Sequence, residues 1–250
     1  MKNVKHALEL GRRDVLYSLG SVVALGVFGC GGDSGSPTSS SGTSSGSGST
    51  STNRSCVVTP AVTEGPYFID ERLNRSDIRS DPTTGAVKAG VQLSLAVNLS
   101  QISSAGACSP LAGALVDVWH CDGLGVYSDI SAQQSVGQRF LRGYQITDAN
   151  GMAQFVTIYP GWYPGRAVHV HFKVRTNPGS SSGLEFTSQM FFDESLTDVV
   201  HAQSPYNSKG RRSTTNSGDG IYLGGGSQLL FPLAAAGNGY SGTFNVGVRT

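Results

Sequence analysis

Two histidines in the sequence are spaced so that both can bind the same metal ion. His169 and His171 lie in a stretch of alternating apolar and polar residues, which predicts a β-strand over residues 168–175. Residues two apart in a strand point to the same face, so both imidazoles can reach one ion from a rigid element. Such pairs occur in zinc and copper sites and, by chance, in ordinary surface strands. The neighbouring residues must therefore decide whether a metal site is present.

The segment before this strand, residues 157–168, is rich in aromatic, cationic and turn-forming residues. Its two Pro-Gly pairs can fold the chain so that Tyr163 lies back over the strand. No third histidine stands at metal-ligand spacing, and Glu64 and Glu185 are isolated in the sequence, so tyrosines are the best candidates to complete the ligands. A free phenol has a pKa of ~10, but a bound trivalent cation can displace its proton at neutral pH. Anionic oxygen favours a hard, highly charged metal, here Fe(III) rather than Zn(II) or Cu(I).

The elements that must position these residues are predicted to be short strands. From Val91 onward, two-residue alternation is interrupted by clusters of Gly, Ser, Asn and Pro, which is typical of strands joined by turns. Helical periodicity of useful length occurs only near the N-terminus. The pattern predicts an all-β domain, an antiparallel β-sandwich. Its predicted strands are residues 91–97, 114–120, 154–159, 168–175, 184–192 and 243–248.

Turns and loops between these strands are equally visible. Asp-Ala-Asn-Gly at residues 148–151 is expected to form a hairpin turn. Long irregular loops are expected at residues 70–90, 122–140 and 205–223. No internal repeat is found in the sequence.

The N-terminus, residues 1–30, has the features of an export signal. Arg12 and Arg13 precede an apolar stretch, residues 19–28, that is shorter than the ~20 residues needed to cross a bilayer. The paired arginines resemble a twin-arginine signal. Val-Phe-Gly-Cys, ending at Cys30, resembles a bacterial lipobox, whose cysteine is lipidated after cleavage. The alternative is an N-terminal anchor helix with a chance cysteine. Both interpretations place the rest of the chain outside the cytoplasm, facing the periplasm or the cell exterior.

Between this signal and the domain lies a segment of almost only Gly, Ser and Thr, residues 31–55. It has no apolar side chains to bury, so nothing offsets the entropy cost of ordering it. We therefore expect a flexible linker that tethers a single domain, residues 56–250, to a lipid anchor.

Three cysteines remain in that domain, and an oxidising compartment permits one disulfide and one free thiol. Cys108 and Cys121 flank a predicted strand, and if the segment between them is straight its ends lie ~20 Å apart or more, at ~3.3 Å per residue. A bridge from Cys56 to either partner is as plausible as one between them, and three reduced thiols are the alternative.

The charge balance limits the class of partner. The formal net charge is +1, with no basic stripe for nucleic acid and no acidic tail for cations. A small, nearly neutral partner is favoured over nucleic acid, and the oligomeric state is left open.

Seven short motifs resemble those of the intradiol ring-cleavage dioxygenases, the family of protocatechuate and catechol dioxygenases, and especially their exported single-domain members. The similarity runs from about Cys56 to Val248, and its specificity lies in the order and spacing of the motifs. The motifs are Thr-Glu-Gly-Pro-Tyr at 63–67, Val-Asp-Val-Trp-His at 116–120, Gly-Val-Tyr-Ser-Asp at 125–129, Phe-Leu-Arg-Gly at 140–143, Thr-Asp-Ala-Asn-Gly at 147–151, residues 159–171, and Ser-Gln-Met-Phe-Phe at 188–192.

The resemblance implies a mononuclear Fe(3+) site in which two tyrosines and two histidines bind the metal. The ligand positions correspond to Tyr127, Tyr163, His169 and His171. Tyr159 is the rival for a tyrosine ligand, but its place before Pro-Gly matches a position that is not a ligand in the family.

The resemblance also implies roles for residues around the metal. Arg166 matches the arginine that stabilises negative charge on the substrate, and Gln189 matches a polar residue that lines the site. Tyr67 lies in a segment that the family places by the substrate pocket. Trp162, one residue before a proposed ligand, is a further candidate for that pocket. The loop between Tyr163 and His169 is shorter than in the soluble enzymes, so substrate contacts within it are not carried over.

The implied reaction is the cleavage of a catechol-type ring by dioxygen between its two hydroxyl-bearing carbons, giving a muconate-type diacid. Tyr163 would leave the metal and act as a base, Tyr127 would stay bound, and no organic cofactor is needed. Two alternatives remain. One is a non-catalytic extracytoplasmic β-sandwich binding module, in which the two tyrosines are not neighbours of the histidines. The other is a zinc or copper His-x-His metalloenzyme.

Two further histidines are expected to lie outside the site. His120, at the end of a predicted strand, is expected to be a hydrogen-bonded structural group. His201 has no ligand spacing and is expected to be exposed.

Overall fold

The computed structural model describes residues 56–178 and 180–250. The predicted signal, its lipidation site Cys30 and the predicted linker lie outside these ranges, so they stay predictions. Within the described part of the chain, no helix has both the length and the apolar character needed to cross a membrane.

The described residues contain nine strands, two α-helices and four 3-10 helices. The strands are β1 (Gln92–Ile102), β2 (Cys108–Pro110), β3 (Leu115–Trp119), β4 (Arg142–Ile146), β5 (Met152–Ile158), β6 (His169–Arg175), β7 (Glu185–Phe191), β8 (Ala234–Ala236) and β9 (Gly239–Arg249). The α-helices are α1 (Glu194–His201) and α2 (Gly220–Gly225). The 3-10 helices are Ser131–Gln133, Tyr206–Lys209, Asn216–Gly218 and Gly226–Leu229.

These strands form two sheets. The first sheet has the order β2-β1-β9-β8, with β5 also paired to β1, and the second has the order β4-β3-β6-β7. Apolar side chains from both sheets share one core, where the rings of Phe172 and Phe244 lie 5.8 Å apart. The prediction of an all-β sandwich is therefore confirmed.

The strand β6 is buried on both faces. Val170 and Phe172 face the core between the sheets, while His169, His171 and Lys173 alternate with them on the outer face. These three polar residues are only 2%, 1% and 5% exposed. A stretch of chain that lies across this outer face covers them; we call residues 63–70 the covering segment.

Ion pairs and ring contacts hold the covering segment on the sheet. Lys173 pairs with Glu64, and Arg175 Nη1 lies 2.9 Å from Asp70 Oδ2. The ring of Phe68 packs on Trp119 at a centroid distance of 4.8 Å. The outer face of the second sheet therefore becomes a buried, polar-lined space.

Three features differ from the sequence-based expectations. The pair β1–β9 is parallel, whereas all other strand pairs among the described residues are antiparallel. Residues 148–151 do form a turn, closed by a 2.9 Å hydrogen bond from Gly151 N to Asp148 O, but the hairpin prediction is wrong. The turn joins β4 in one sheet to β5 in the other. The helices α1 and α2 were not expected, because helices of 8 and 6 residues are too short to show clear periodicity.

Candidate metal centre

The two histidines of β6 meet at the end of the strand nearest the preceding loop. Their Nε2 atoms lie 3.0 Å apart. His169 Nδ1 lies 2.7 Å from the carbonyl oxygen of Ala167, which can only accept a hydrogen bond. Nδ1 of His169 therefore carries the proton, and its Nε2 presents a lone pair to the centre. This is the arrangement by which proteins orient histidine ligands.

The ring of His171 is fixed by packing. The indole of Trp119, its partner on the neighbouring strand β3, stacks on the imidazole with a centroid distance of 4.9 Å and an interplanar angle of 8°. On the covering segment, a side chain at Gly65 would place its Cβ 3.3 Å from His171 Cε1. Only a glycine leaves the imidazole undisturbed there.

Both predicted tyrosines reach the same point. The hydroxyl of Tyr127 lies 3.4 Å from His169 Nε2, and that of Tyr163 lies 3.2 Å from the same atom. Two phenol oxygens and two imidazole nitrogens thus converge. Within residues 56–178 and 180–250, no three His, Cys, Asp or Glu side chains form a metal-binding group. The binding-module alternative predicted that the tyrosines lie away from the histidines, and the structure contradicts that expectation.

Tyr127 is held by its own loop. Asp122 Oδ1 accepts hydrogen bonds of 3.0 Å from the amides of Leu124 and Val126, which closes the turn before the tyrosine. Ser135 Oγ donates to the carbonyl of Tyr127 at 2.6 Å. The Tyr127 side chain is fully buried. This ligand candidate is therefore rigidly placed, although its position depends on a loop.

Lys209 links the loops that carry the two tyrosines. Its ammonium group donates to the carbonyl of Leu124 at 2.5 Å and to the carbonyl of Trp162 at 2.7 Å. The loops touch directly at Gly125, where an added Cβ would lie 2.2 Å from the Trp162 oxygen. Gly125 also has a positive φ of 82°, which favours glycine. Tyr127 and Tyr163 are thus positioned relative to each other by shared backbone contacts.

Burial sets the protonation states of the four candidate ligands. It lowers the pKa of His169 to about 3, with a further contribution from the positive Arg166, and lowers that of His171 well below its usual value. Burial also raises the pKa of Tyr163 to about 12, and it raises the pKa of Tyr127 well above its usual value. The imidazoles are therefore neutral, as metal binding requires. The phenols keep their protons unless a strongly charged cation displaces them, so the donor set fits a trivalent metal ion.

Arg166 lies at the edge of this centre, with each guanidinium nitrogen near a different group. Its Nη1 lies 3.4 Å from His169 Nε2, and its Nη2 donates to Gln189 Oε1 at 2.5 Å. Its Nε donates to Asp219 Oδ2 at 2.8 Å. Gln189 in turn donates to the carbonyl of Thr63 on the covering segment at 2.8 Å. The structure thus brings the predicted Arg166 and Gln189 next to the candidate ligands.

Asp219 was missed by the sequence analysis, which assigned it to an irregular loop. Its carboxylate is 1% exposed and also accepts from the amide of Ala167 at 2.8 Å. Burial acts to raise its pKa, but the Ala167 hydrogen bond and the charge of Arg166 hold that pKa below its usual value. An aspartate before Gly-Ile-Tyr-Leu could have indicated a helix N-cap. Nothing in the sequence pointed to its contact with Arg166.

The two predicted pocket residues differ in their surroundings. The ring of Tyr67 lies 4.5 Å from that of Tyr127 and 6.0 Å from that of Tyr163, so it lies over the two phenols. The indole of Trp162 instead donates to the carbonyl of Gly210 at 3.2 Å. Tyr67 therefore lies at the candidate metal centre, whereas the indole of Trp162 is hydrogen-bonded to a neighbouring loop.

The remaining conspicuous residues lie outside the centre. His120 bonds to the carbonyl of Cys121 at 2.8 Å and to Thr157 Oγ1 at 2.7 Å, as expected for a structural group. Tyr159 bonds to Thr197 Oγ1 at 2.7 Å. The prediction that His201 is exposed is wrong. It is 9% exposed, because α1 packs it against the ring of Tyr206.

The structure contains one of the disulfides that the sequence left open. Cys56 is bonded to Cys108, which leaves Cys121 as a free, buried thiol.

Comparisons with known proteins agree with this geometry. The family model described as "Dioxygenase" matches residues 63–204, more than half of the chain. The solved intradiol ring-cleavage dioxygenase of Tetranychus urticae is 33% identical, with a TM-score of 0.68, over 78% of this chain and 95% of that one.

Two shorter sequence matches involve ring-cleaving enzymes. The chlorocatechol 1,2-dioxygenase of Pseudomonas putida is 31% identical over 38% of this chain and 42% of its own length. Catechol 1,2-dioxygenase 1 of Acinetobacter lwoffii is 27% identical over 52% of this chain and 45% of its own length. The chain thus spans less than half the length of either relative. From the family model and the Tetranychus structure together, the chain belongs to the intradiol ring-cleavage dioxygenase family.

Proposed function

We propose that this chain is a non-haem Fe(III) dioxygenase that opens the ring of a catechol-type substrate between its two hydroxyl-bearing carbons. The product would be a muconate-type diacid. One observation carries the proposal: the hydroxyls of Tyr127 and Tyr163 and the Nε2 of His171 lie within 3.4, 3.2 and 3.0 Å of His169 Nε2. Two neutral nitrogens and two phenol oxygens are a suitable donor set for a hard trivalent ion.

The residues that would hold the metal are Tyr127, Tyr163, His169 and His171. Ferric iron bound there would supply the Lewis acidity and redox chemistry that make a catecholate reactive towards dioxygen. Hydrogen bonding of His169 Nδ1 to Ala167 keeps the Nε2 lone pair directed at the centre.

The two tyrosines have different surroundings, which supports different roles. Tyr127 is fully buried, whereas Tyr163 is half-buried and precedes the exposed Pro164 and Gly165. Tyr163 is therefore the phenol with room to move when a substrate arrives. If a bound trivalent cation had displaced the proton of Tyr163, its phenolate oxygen could accept a proton from a catechol hydroxyl.

A cationic side chain lies next to the candidate metal centre, where it can pair with negative charge on the substrate. The guanidinium of Arg166 points its Nη1 towards the metal-binding end of His169 at 3.4 Å, so it can stabilise negative charge that develops on a bound ring. Gln189 and Tyr67 border this position. The covering segment lies over the face of β6 on which His169 and His171 are 2% and 1% exposed.

Metal analysis and visible spectroscopy of the purified, iron-loaded protein test the proposal. A ferric tyrosinate centre absorbs visible light, whereas a zinc site or a metal-free module is colourless. We expect a coloured protein with one iron per chain that consumes dioxygen when catechols are added. A panel of lignin-derived, polyphenolic and hydroxyquinol-type catechols would then identify the preferred substrate.

A matched pair of tyrosine variants tests the source of the colour. The double variant Tyr127→Phe/Tyr163→Phe should be colourless. Tyr159→Phe is the control, because it removes a nearby phenol that lies outside the centre. Among the described residues, the Tyr159 hydroxyl is hydrogen-bonded to Thr197 Oγ1 at 2.7 Å. This variant should keep the colour. A colourless wild-type protein after iron loading would rule out the proposed centre.

We further propose that the protein is exported and anchored by a lipid at Cys30, with residues 31–55 as the tether. The paired arginines and the lipobox-like residues support this location. The Cys56–Cys108 disulfide is also typical of proteins outside the cytoplasm. Mass spectrometry of the mature N-terminus tests the proposal, since a lipidated Cys30 is expected there and an unprocessed Met1 would contradict it.

A further inference from the structure

The carboxylate of Asp219 joins three separate parts of the molecule. Its Oδ2 accepts hydrogen bonds of 2.8 Å from Arg166 Nε and of 2.8 Å from the amide of Ala167. Its Oδ1 accepts from the amides of Ile221 and Tyr222 at 2.8 and 3.2 Å, in the first turn of α2. A guanidinium, the backbone leading into β6 and a short helix thus share one buried carboxylate.

A guanidinium is planar and rigid, so fixing two of its nitrogens determines the direction of the third. In Arg166, Asp219 holds Nε and Gln189 holds Nη2, at 2.8 and 2.5 Å. The remaining Nη1 is thereby directed to His169 Nε2 at 3.4 Å. Without the carboxylate, rotation about the side-chain bonds of Arg166 would be limited by Gln189 alone.

We propose that Asp219 is a positioning residue for catalysis, which aims the Arg166 guanidinium at the substrate bound in the metal centre. This inference rests on the proposed function for its catalytic consequence. Asp219 does not touch that centre in the described contacts and acts through Arg166.

The simpler explanation is that Asp219 is only a helix cap. Asp193 provides the comparison, because it caps α1 in the same manner by accepting from the Leu196 amide at 2.9 Å. Capping of α2 uses only Oδ1 of Asp219, whereas the charge-assisted bond to Arg166 uses Oδ2. The two roles can therefore be separated by substitutions that keep the cap.

Asp219→Asn and Asp219→Ser are those substitutions, since Asn and Ser are also favoured N-cap residues. Neither offers a carboxylate to Arg166. We expect both variants to keep their iron content, while kcat/KM on a catechol falls about 100-fold, as misplacement of a catalytic group by ~1 Å can cause. The matched control is Asp193→Asn, which changes an exposed helix cap away from the centre. It should keep kcat/KM within about twofold, because such a change affects only stability. An unchanged kcat/KM in both Asp219 variants would overturn the proposal.

A double-mutant cycle tests whether the effect passes through Arg166. In an Arg166→Gln background, Asp219→Asn should change kcat/KM by less than about threefold, since the group that it positions is gone. An equal loss in both backgrounds would mean that Asp219 acts by another route, and the proposal would be wrong.

Crystal structures of the wild type and of Asp219→Ser give a readout that does not depend on activity. We expect the guanidinium of Arg166 to move by ~1 Å or more in the variant, since one of its two fixed nitrogens is released. If the wild type opened no catechol ring, the proposed function would fail, and this displacement would still decide whether Asp219 positions Arg166. An unmoved guanidinium would overturn the positioning role even in an active enzyme.

Discussion

The Nε2 atoms of His169 and His171 lie 3.0 Å apart, and both imidazoles are almost fully buried. Burial and the nearby Arg166 keep both rings neutral. The lone pair of His169 Nε2 therefore has a second ring nitrogen and two phenol oxygens within 3.4 Å. A cation at their centre would satisfy all four groups at once.

His171→Ala should lose the metal. The substitution removes one nitrogen donor and leaves the stacked face of Trp119 without its partner. We expect the iron-to-protein ratio after desalting to fall at least tenfold below wild type. Replacing a residue that only supports a metal ligand already weakens metal binding by about that factor, and loss of the ligand itself should weaken it at least as much. His120→Gln, which replaces a buried histidine outside the centre, is the control and should keep its iron. Full iron content in His171→Ala would contradict the ligand assignment.

Tyr163→Phe should separate metal binding from catalysis. Three donors remain, so the protein keeps most of its iron, but the group proposed to accept the substrate proton is lost. We expect the rate of oxygen uptake with a catechol to fall by about 100-fold or more, the usual contribution of a positioned base. Oxygen uptake equal to that of wild type would exclude the proposed role of Tyr163.

Gly65→Ala should weaken the metal centre through His171. At this position φ is +72°, and the new Cβ would lie 3.3 Å from His171 Cε1. Gly85→Ala is a matched control, because Gly85 has a φ of +75° and no atom within 4 Å of the new Cβ. Both variants should lose about 1 kcal/mol of unfolding free energy from the left-handed backbone. Only Gly65→Ala should lower iron affinity in a competition titration with a chelator; equal affinities would refute the contact.

Stability should fall in mild acid, in part because of His120. Burial lowers the pKa of this histidine from 6.5 to about 4 in the folded protein. The unfolded chain therefore binds a proton first as the pH falls, so the contribution of His120 is complete above pH 6.5 and is lost towards pH 4.

Denaturant unfolding of iron-free wild type and His120→Gln from pH 7 to pH 5 measures this contribution. The unfolding free energy of the wild type should fall more steeply, by about 1.4 kcal/mol per pH unit below pH ~6, because the variant lacks that proton. Burial is the main cause of the lowered pKa values of His169 and His171 and is the same in both proteins, so their contribution largely cancels in the difference. Parallel pH profiles would show that His120 does not contribute.

The sequence predicted most strands and the pair of histidines, because these depend on local alternation. Residues two apart on β6 must share a face, and the structure has His169 and His171 there. The direction of pairing between β1 and β9 could not be predicted in this way, since alternation is the same in parallel and antiparallel strands.

The residues that reach the centre from loops could not be predicted from local alternation. Tyr127 lies 42 residues before His169, and only the family resemblance linked the two. Asp219 lies 53 residues after Arg166, in a stretch where no periodicity exists. The burial of His201 follows from α1, a helix of 8 residues that was not predicted. Long-range contacts made by loops are set by the packing of the whole fold, which local patterns do not encode.

The ammonium group of Lys209 has a consequence for engineering this protein. It donates to the carbonyls of Leu124 and Trp162, so it ties together the loops before Tyr127 and Tyr163. Gly125 leaves no space for a side chain between those loops. If one of these loops is replaced by that of a relative to change the substrate, the contacts to the other loop and to Lys209 are lost. We therefore expect that the loop before Tyr127, the loop before Tyr163 and the segment with Lys209 can be exchanged together but not one at a time.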